Sequence, residues 1–365
     1  LVGSEMCIRD RENAVLTSNT SGISALELSS KMNDSMASRF FITHFFNPPR
    51  YMKLVEIVPC ERTDDAVIPP MAAFLENDLG KGVVYAKDTP NFIANRIGVY
   101  GMMVTLDQAR KNNLSIENVD ALTGTLIGRP KSATFRTADV VGLDTMCFVS
   151  NTAFEKCEND AERDMFKIPS YLEKMVANEW LGQKSKQGFY KKIDKGVIHS
   201  IDLDTLEYTP QKKDRYPGVG KAKEHSKTAD RIKTLVNTDD VSGQFVWEVT
   251  SHALLYSAFR VGEISNDIVN IDRAMRWGFG WEMGPFEVWD AIGLSESVVR
   301  MKEEKKRIPD WVAAMLSNGN EKFYKVINGQ DCYWNHEKND YVEITTTSKE
   351  LTFSKCNNNL SLIHI

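Results

Sequence analysis

The sequence predicts an α/β fold up to residue 88, followed by an all-α region. Three observations support this prediction. Short runs of aromatic and branched residues alternate with helical patterns before residue 88, and such alternation is typical of a parallel sheet flanked by helices. From Pro90 onward, apolar residues recur with the period of an α-helix. A residue pattern that occurs twice in this second region indicates two copies of one helical unit.

Four strands and two helices are predicted in the α/β region. The strands are short apolar runs that end at polar or proline-containing turns, over residues 14–17, 40–46, 52–58 and 82–86. Helical spacing predicts a helix over 24–36 and another over 70–79. The second helix has proline in its first turn and Gly80 after its end, where a helix commonly stops. We expect the strands to form a parallel sheet.

The internal repeat predicts the arrangement of the helical region. Three groups of residues recur in the same order. In the first group, Val119-Asp120 with Phe135, Asp139 and Gly142 matches Ile271-Asp272 with Phe286, Asp290 and Gly293. In the second and third groups, Ile168-Pro169 matches Ile308-Pro309, and Phe189-Tyr190 matches Phe323-Tyr324. We place the two copies at residues 89–193 and 243–335. A polar, lysine-rich connector with one helix near 229–236 separates them, over residues 194–242. A coincidence of common helix caps is the alternative.

Composition excludes several functional classes. The net charge is −5 and there is no basic block, so nucleic acid is not an expected partner. No apolar run approaches the roughly 18 residues of a membrane span, and the start shows no secretion signal. Six scattered cysteines and isolated histidines predict a cytoplasmic protein without disulfides or a metal site.

The two ends differ from the rest of the chain. Residues 1–11 and 360–365 fit none of the neighbouring patterns and resemble translated sequencing adapters. We therefore exclude them from the fold prediction and expect the natural protein to continue past both ends. The remaining boundaries place the first domain at 12–88 and a linker at 336–359.

His44 and Glu56 are the candidate catalytic pair. His44 lies near the end of one predicted strand, and Glu56 lies on the next. If the strands are neighbours, the imidazole can accept a proton from a hydroxyl while the carboxylate fixes its tautomer and stabilises the imidazolium. By spacing alone, a histidine that only packs in the strand is the more common interpretation.

A family resemblance changes that balance. Four motifs stand in order, Ser18-Asn-Thr-Ser21, His44-Phe-Phe-Asn-Pro48, Met52-Lys-Leu-Val-Glu56 and Asp88-Thr-Pro-Asn-Phe-Ile-Ala-Asn-Arg96. Together they resemble the L-3-hydroxyacyl-CoA dehydrogenase family, over roughly residues 14–335. The resemblance implies oxidation of a 3-hydroxyacyl-CoA to the 3-ketoacyl-CoA in fatty-acid β-oxidation, with NAD as cofactor. It also implies that His44 is the base and Glu56 its partner.

The resemblance extends to three further polar residues. Ser21 matches a serine that hydrogen-bonds near the substrate hydroxyl and the histidine. Asn95 matches an asparagine that binds the developing ketone oxygen, a place where a neutral donor suits a changing charge. Asn19 matches a position beside the nicotinamide ribose. Without the resemblance, Ser21 would be a turn hydroxyl and Asn95 a residue of a helix's first turn.

The resemblance also implies the architecture. Residues 12–88 would be the remainder of a Rossmann-type NAD-binding domain, followed by two 6-phosphogluconate-dehydrogenase-like helical domains. Tandem copies resemble the long, multifunctional members, so we expect the copies to pack on each other and an enoyl-CoA hydratase module to follow. The first copy has Ala133-Thr134 where the second has the family's Gly284-Pro285.

The sequence departs from the family at the cofactor. It contains no Gly-x-Gly-x-x-Gly loop, which would hold the NAD pyrophosphate. We therefore expect this chain to be inactive alone. Two other functions remain open, a dehydrogenase for a CoA-free β-hydroxy acid and a non-catalytic structural relative.

Overall fold

The computed structural model describes residues 14–345. The predicted adapter-like ends and residues 346–359 of the predicted linker lie outside this range. The described chain opens with a four-stranded sheet of β1 (Leu16–Ser18), β2 (Phe40–Phe45), β3 (Leu54–Val58) and β4 (Gly82–Tyr85). The strands lie side by side in chain order, close to the four predicted runs.

The prediction of a parallel sheet is wrong for the central pair. β1 and β2 are parallel, and so are β3 and β4, but β2 and β3 are antiparallel. Residues 46–53, between β2 and β3, contain no helix. A parallel crossover needs about a dozen residues or more, so this short connection forces the chain to turn back on itself.

Three helices accompany the sheet, α1 (Ala25–Ser29), α2 (Asp34–Ala37) and α3 (Ile68–Asn77). The single helix predicted over 24–36 is divided in two, because the Asn33 side chain accepts a hydrogen bond from Met36 N and starts a new helix. The helix predicted over 70–79 is confirmed as α3. Its first turn contains proline, as expected.

The first part of the helical region runs from residue 94 to residue 210. It contains five helices and three strands: α4 (Ala94–Lys111), α5 (Ile116–Thr123), α6 (Phe135–Val141), α7 (Leu143–Lys156), α8 (Ser170–Ala177), β5 (Tyr190–Asp194), β6 (Val197–Ile201) and β7 (Tyr208–Pro210). Residues of α4 are buried on all its faces. It is therefore the central helix of this part.

The second part follows two helices that lie within the predicted connector, α9 (Pro217–Lys223) and α10 (Thr228–Val236). The helix predicted near 229–236 is confirmed as α10. The second part contains α11 (Val241–Arg260), α12 (Ile268–Gly278), α13 (Pro285–Ile292), α14 (Leu294–Glu303), α15 (Asp310–Ser317), β8 (Tyr324–Ile327), β9 (Gln330–Asn335) and β10 (Asp340–Glu343). β6, β7 and α9 give the connector more structure than the sequence predicted.

The prediction of an all-α region is wrong in two places. β5, β6 and β7 form one antiparallel sheet, and β8, β9 and β10 form another. β8 and β9 are joined by Asn328-Gly329, both with positive φ. An Asn-Gly pair between two apolar runs is the strongest short-range signal of a hairpin, and that signal was present in the sequence.

A large hydrophobic core joins the parts and includes Ile42 and Leu54 of the sheet, and a second, smaller cluster with Phe41 and Val55 lies between the sheet and α3. α4 packs against α11, and the rings of Tyr100 and Tyr256 stack there with centroids 3.7 Å apart. α12 lies against β3 and β4. Among residues 14–345, no helix is long and apolar enough to cross a membrane.

Candidate active site

His44 and Glu56 lie directly opposite each other on the antiparallel strands β2 and β3. Directly opposite residues point to the same face of a sheet, so the hairpin brings the two side chains together. His44 Nδ1 lies 2.6 Å from Glu56 Oε2, and both residues are buried. The contact that the sequence analysis inferred is therefore present.

The second oxygen of Glu56 binds the start of α4. Glu56 Oε1 accepts hydrogen bonds from Ile93 N at 3.1 Å and from Ala94 N at 2.9 Å. The first amides of a helix have no partner within the helix, and the helix dipole favours a negative charge there. The carboxylate is thereby fixed between the histidine and the helix.

Two aromatic rings enclose the imidazole. The centroid of His44 lies 4.8 Å from that of Phe46 and 5.5 Å from that of Phe92. Since Nδ1 faces Glu56, Nε2 is the nitrogen left for a substrate. Within residues 14–345, the His44 ring makes its hydrogen bond through Nδ1, and Nε2 makes none. The pair is thus oriented to exchange a proton at Nε2.

The loop after β1 lies beside His44. β1 is parallel to β2, so their carboxyl ends share one edge of the sheet. Asn19 Oδ1 accepts a hydrogen bond of 2.8 Å from Phe45 N, the residue after His44. Ser21 follows in the same loop and is half-buried. The structure therefore places the Asn19 loop beside the His44–Glu56 pair, with the Asn19 oxygen bound to the backbone amide of Phe45.

Asn95 is the second residue of α4 and is half-buried. It directly follows Ala94, whose amide binds Glu56. Glu56 therefore connects the strand of the histidine to the helix turn that carries the asparagine. This contact relates three of the predicted site residues, His44, Glu56 and Asn95.

Asp88 is a structural residue of the site that the sequence analysis quoted without a role. Its carboxylate accepts hydrogen bonds from the Ser24 hydroxyl at 2.6 Å and from Ala25 N and Leu26 N, each at 2.9 Å. It thus caps α1 and joins the segment before α4 to the loop that carries Ser21. In the sequence, Ser24 was the residue that indicated a helix start here, because serine is a typical N-cap residue.

The other notable side chains lie elsewhere. Trp289 is fully buried in the hydrophobic core and donates its indole N–H to Ser297 at 2.7 Å. Within residues 14–345, no group of histidine, cysteine and acidic side chains is arranged to hold a metal ion.

Two models of one protein family match the chain. The model described as 3-hydroxyacyl-CoA dehydrogenase, NAD binding domain, matches residues 5–89. The model described as 3-hydroxyacyl-CoA dehydrogenase, C-terminal domain, matches residues 92–192 and 245–321. Together they cover most of the chain.

Similar proteins carry related names. A "Probable 3-hydroxyacyl-CoA dehydrogenase" of Bacillus subtilis is 47% identical over 93% of this chain and 43% of its own length. A "Putative fatty acid oxidation complex trifunctional enzyme" of Rickettsia prowazekii is 30% identical over 76% of this chain and 38% of its own length. The chain thus spans less than half of either relative. A solved 3-hydroxybutyryl-CoA dehydrogenase of Escherichia coli shares the fold, with a TM-score of 0.59 and 17% identity over 87% of this chain and 79% of its own.

Proposed function

The chain belongs to the 3-hydroxyacyl-CoA dehydrogenase family, and from this premise we propose that it carries the acid–base site for oxidising an (S)-3-hydroxyacyl-CoA to the 3-ketoacyl-CoA. The observation that carries the proposal is the buried His44–Glu56 pair with its 2.6 Å contact. A carboxylate on one imidazole nitrogen and an open second nitrogen are what a general base needs to accept a proton from an alcohol.

The proton path follows from this geometry. His44 donates its Nδ1–H to Glu56, so Nε2 is the basic nitrogen and accepts the proton of the substrate hydroxyl. The imidazolium that forms lies against the Glu56 carboxylate, which stabilises it. As the proton leaves, the C3–O bond becomes a carbonyl and C3 loses a hydride. NAD supplies the acceptor for that hydride.

Asn95 and Ser21 complete the proposed site. Asn95 would donate its amide N–H to the oxygen on C3, because α4 places it one residue after the amide that binds Glu56. Ser21 would hydrogen-bond the substrate hydroxyl from the loop at the end of β1. Asn19, which holds that loop against Phe45 N, would lie by the nicotinamide ribose.

The residues present fit one end of NAD. The Asn19 loop lies at the carboxyl ends of two parallel strands, the edge at which nucleotides bind in open parallel sheets. The sequence has no Gly-x-Gly-x-x-Gly loop. We propose that this chain alone does not oxidise the substrate, because it lacks the loop that would hold the pyrophosphate.

We also propose that residues 89–193 and 243–335 are two copies of the family's C-terminal domain. Equivalent aspartates make equivalent contacts in both, which supports this proposal. Asp120 accepts from Phe135 N and the Tyr190 hydroxyl, and Asp272 accepts from Phe286 N and the Tyr324 hydroxyl. Asp139 accepts from the amides of residues 189 and 190, and Asp290 accepts from those of residues 323 and 324.

The copies differ where the first lacks the family's Gly-Pro. Ala133 has φ +51°, a left-handed conformation, whereas Gly284 has φ −74°. Thr134 then donates its N–H to Asp120, a bond that Pro285 cannot make. The departure changes the local backbone and keeps the aspartate contacts.

We further propose that the second copy packs on the first as an internal substitute for a partner subunit, and the contact between α4 and α11 supports this. Tandem copies, with a relative named as a trifunctional enzyme, also support a role in fatty-acid β-oxidation and a fused enoyl-CoA hydratase module. The role in β-oxidation and the hydratase module are proposals about the whole protein.

NADH formation from 3-hydroxybutyryl-CoA or a longer homologue, by the whole protein that contains this chain, tests the catalytic proposal. We expect His44→Gln to abolish it. His225→Gln, at an exposed histidine in the connector, should retain it. Unchanged turnover in His44→Gln would contradict the role assigned to His44.

A further inference from the structure

The segment before and within the first turn of α4 is held by the second helical part. This segment carries the amides that bind Glu56, and it carries Asn95. Lys87 N donates to Ile264 O at 2.9 Å, and Lys87 Nζ donates to Gly262 O at 2.6 Å. The loop that follows α11 therefore fixes the beginning of this segment.

Arg96 fixes its end. It lies in the first turn of α4, two residues after Ala94, and is fully buried. Its Nε donates to the Tyr256 hydroxyl at 2.5 Å, and an Nη nitrogen donates to Asp160 at 2.6 Å. The same nitrogen lies 3.3 Å from Glu263. Two of these three partners, Tyr256 and Glu263, belong to the second helical part.

The charges around Arg96 balance. Arg260 Nη1 lies 3.1 Å from Asp160 and 2.8 Å from Glu263, so two guanidinium groups face two carboxylates. Burial opposes ionisation of Asp160, but the hydrogen bond from Tyr256, the charge of Arg260 and the hydrogen bond from Arg96 outweigh burial and lower the pKa of Asp160. A buried charge set of this kind tolerates the loss of a partner poorly, because the remaining charge is left uncompensated.

We propose that Tyr256, together with the loop over residues 260–265, is a positioning residue for the His44–Glu56 site. It acts through Arg96, which it holds so that the first turn of α4 presents its amides to Glu56 and Asn95 to the substrate. The inference rests on the proposed function, because the expected change in kcat is measured on the proposed reaction. It makes the second helical part a component of the active site, although that part supplies no residue of the catalytic pair.

The physical reason is the sensitivity of catalysis to small displacements. A shift of about 1 Å in a catalytic group can lower the rate roughly a hundredfold. Arg96 is two residues from the amide of Ala94, so a change in its position moves the helix terminus that orients Glu56. A purely structural anchor would instead change stability and leave the site geometry intact.

Tyr256→Phe tests the proposal in the whole protein. It removes the hydroxyl and keeps the ring that stacks on Tyr100. We expect kcat to fall by at least about fivefold while KM changes less than about twofold, because the effect is on the reacting geometry. Tyr324→Phe is the matched control. The Tyr256 hydroxyl donates to the buried Asp160 at 2.7 Å, and the Tyr324 hydroxyl donates to the buried Asp272 at the same distance. The control should leave kcat unchanged.

A second readout is independent of turnover. The proton on His44 Nδ1, in a 2.6 Å bond to a carboxylate, should give a downfield proton NMR signal in histidine-labelled protein. We expect this signal to shift or broaden in Tyr256→Phe and to remain in Tyr324→Phe. If the wild-type protein forms no NADH, the proposed function fails, whereas the NMR comparison still decides the positioning role.

Glu263→Gln is the second variant if Tyr256→Phe does not fold, because the Glu263 side chain is 40% exposed. It should shift the same signal and lower kcat in the same direction, to a smaller extent. A folded Tyr256→Phe protein, or a folded Glu263→Gln protein in its place, with wild-type kcat and an unchanged Nδ1 proton signal would overturn the inference. Equal effects of Tyr256→Phe and Tyr324→Phe would overturn it as well.

Discussion

Glu56 accepts hydrogen bonds from three groups on two different elements, the imidazole on β2 and two amides at the start of α4. Each oxygen has a defined task. Oε1 binds the helix terminus, and Oε2 receives the Nδ1–H of His44. A carboxylate suits both tasks, because it presents two acceptors and no donor.

Glu56→Gln separates the two tasks. The amide oxygen can still bind Ile93 N and Ala94 N, which turns the NH2 group toward His44 and favours the imidazole tautomer that has its proton on Nε2. We expect the fold to be retained and kcat to fall by at least roughly a hundredfold. Steady-state NADH formation and a thermal melt of the same sample measure the two effects. A variant that loses activity only in proportion to its unfolded fraction would contradict this assignment.

The site was predictable from the sequence in part. His44 and Glu56 stand in motifs that lie close together in the chain, so the resemblance identified them. Asp88 contacts residues more than 60 positions away, and Arg96 contacts Tyr256 160 positions away. Such contacts arise from tertiary packing, which local patterns do not encode. The family resemblance therefore predicted the His44–Glu56 pair, and it did not predict what holds the segment before α4 in place.

At the scale of elements, short-range rules explain both successes and errors. The strands of the first sheet and α3 were found because their apolar runs and end signals are local. The antiparallel β2–β3 pair was missed because alternation of strands and helices was assumed throughout, although residues 46–53 hold no helix. The β8–β9 hairpin was missed because residues 243–335 were assigned to helices as a block.

The turn between β8 and β9 allows a prediction about backbone strain. Gly329 has φ +78°, and a Cβ there would meet no atom within 4 Å, so conformation alone decides the effect of a substitution. We expect Gly329→Ala to lower the free energy of unfolding by about 1–2 kcal/mol. Gly220→Ala, in α9 with equally open space and no positive φ, should raise it by about 0.5–1 kcal/mol. Urea unfolding compares them, and effects of the same sign would contradict the explanation.

Glu248 joins α11 to the chain after α14. Its carboxylate lies 3.6 Å from His252 Nε2 and 3.0 Å from Lys306 Nζ. The interaction with His252, followed by the charge of Lys306, lowers the pKa of Glu248 to about 2. A pKa lowered on folding means that the carboxylate contributes stability above its ordinary pKa of 4.5, and that this contribution is lost as the pH falls toward 2.

Glu248→Gln should therefore destabilise the protein more at neutral pH than at acid pH. Because the Glu248 side chain is 31% exposed, solvent screening limits the expected loss to about 1 kcal/mol at pH 7. The loss should shrink between about pH 4.5 and pH 2. Urea unfolding at several pH values measures it, with exposed Glu158→Gln as the control. A loss that grows between pH 4.5 and pH 2 would show that Glu248 does not act through its charge.

At the scale of the whole molecule, one face of α4 lies between the His44–Glu56 pair and the second helical part. Ala94, which binds Glu56 through its amide, faces Gly278 at the end of α12. One turn later, the ring of Phe279 lies directly on Gly98. Phe279 also approaches Phe46, with ring centroids 6.2 Å apart, and Phe46 packs on His44. The small residues Ala94 and Gly98 on this face allow the close approach.

This close approach predicts that two glycines of α4 respond in opposite ways. A Cβ at Gly98 would overlap the Phe279 ring, whereas a Cβ at Gly101 would meet no atom within 4 Å. Gly98→Ala should lower the free energy of unfolding by about 1–3 kcal/mol, since the ring or the helix must move. Gly101→Ala should raise it by about 0.5–1 kcal/mol through helix propensity. Urea unfolding of both variants measures these changes. If Gly98→Ala raised the free energy of unfolding as much as Gly101→Ala, the close contact of Phe279 with Gly98 would be contradicted.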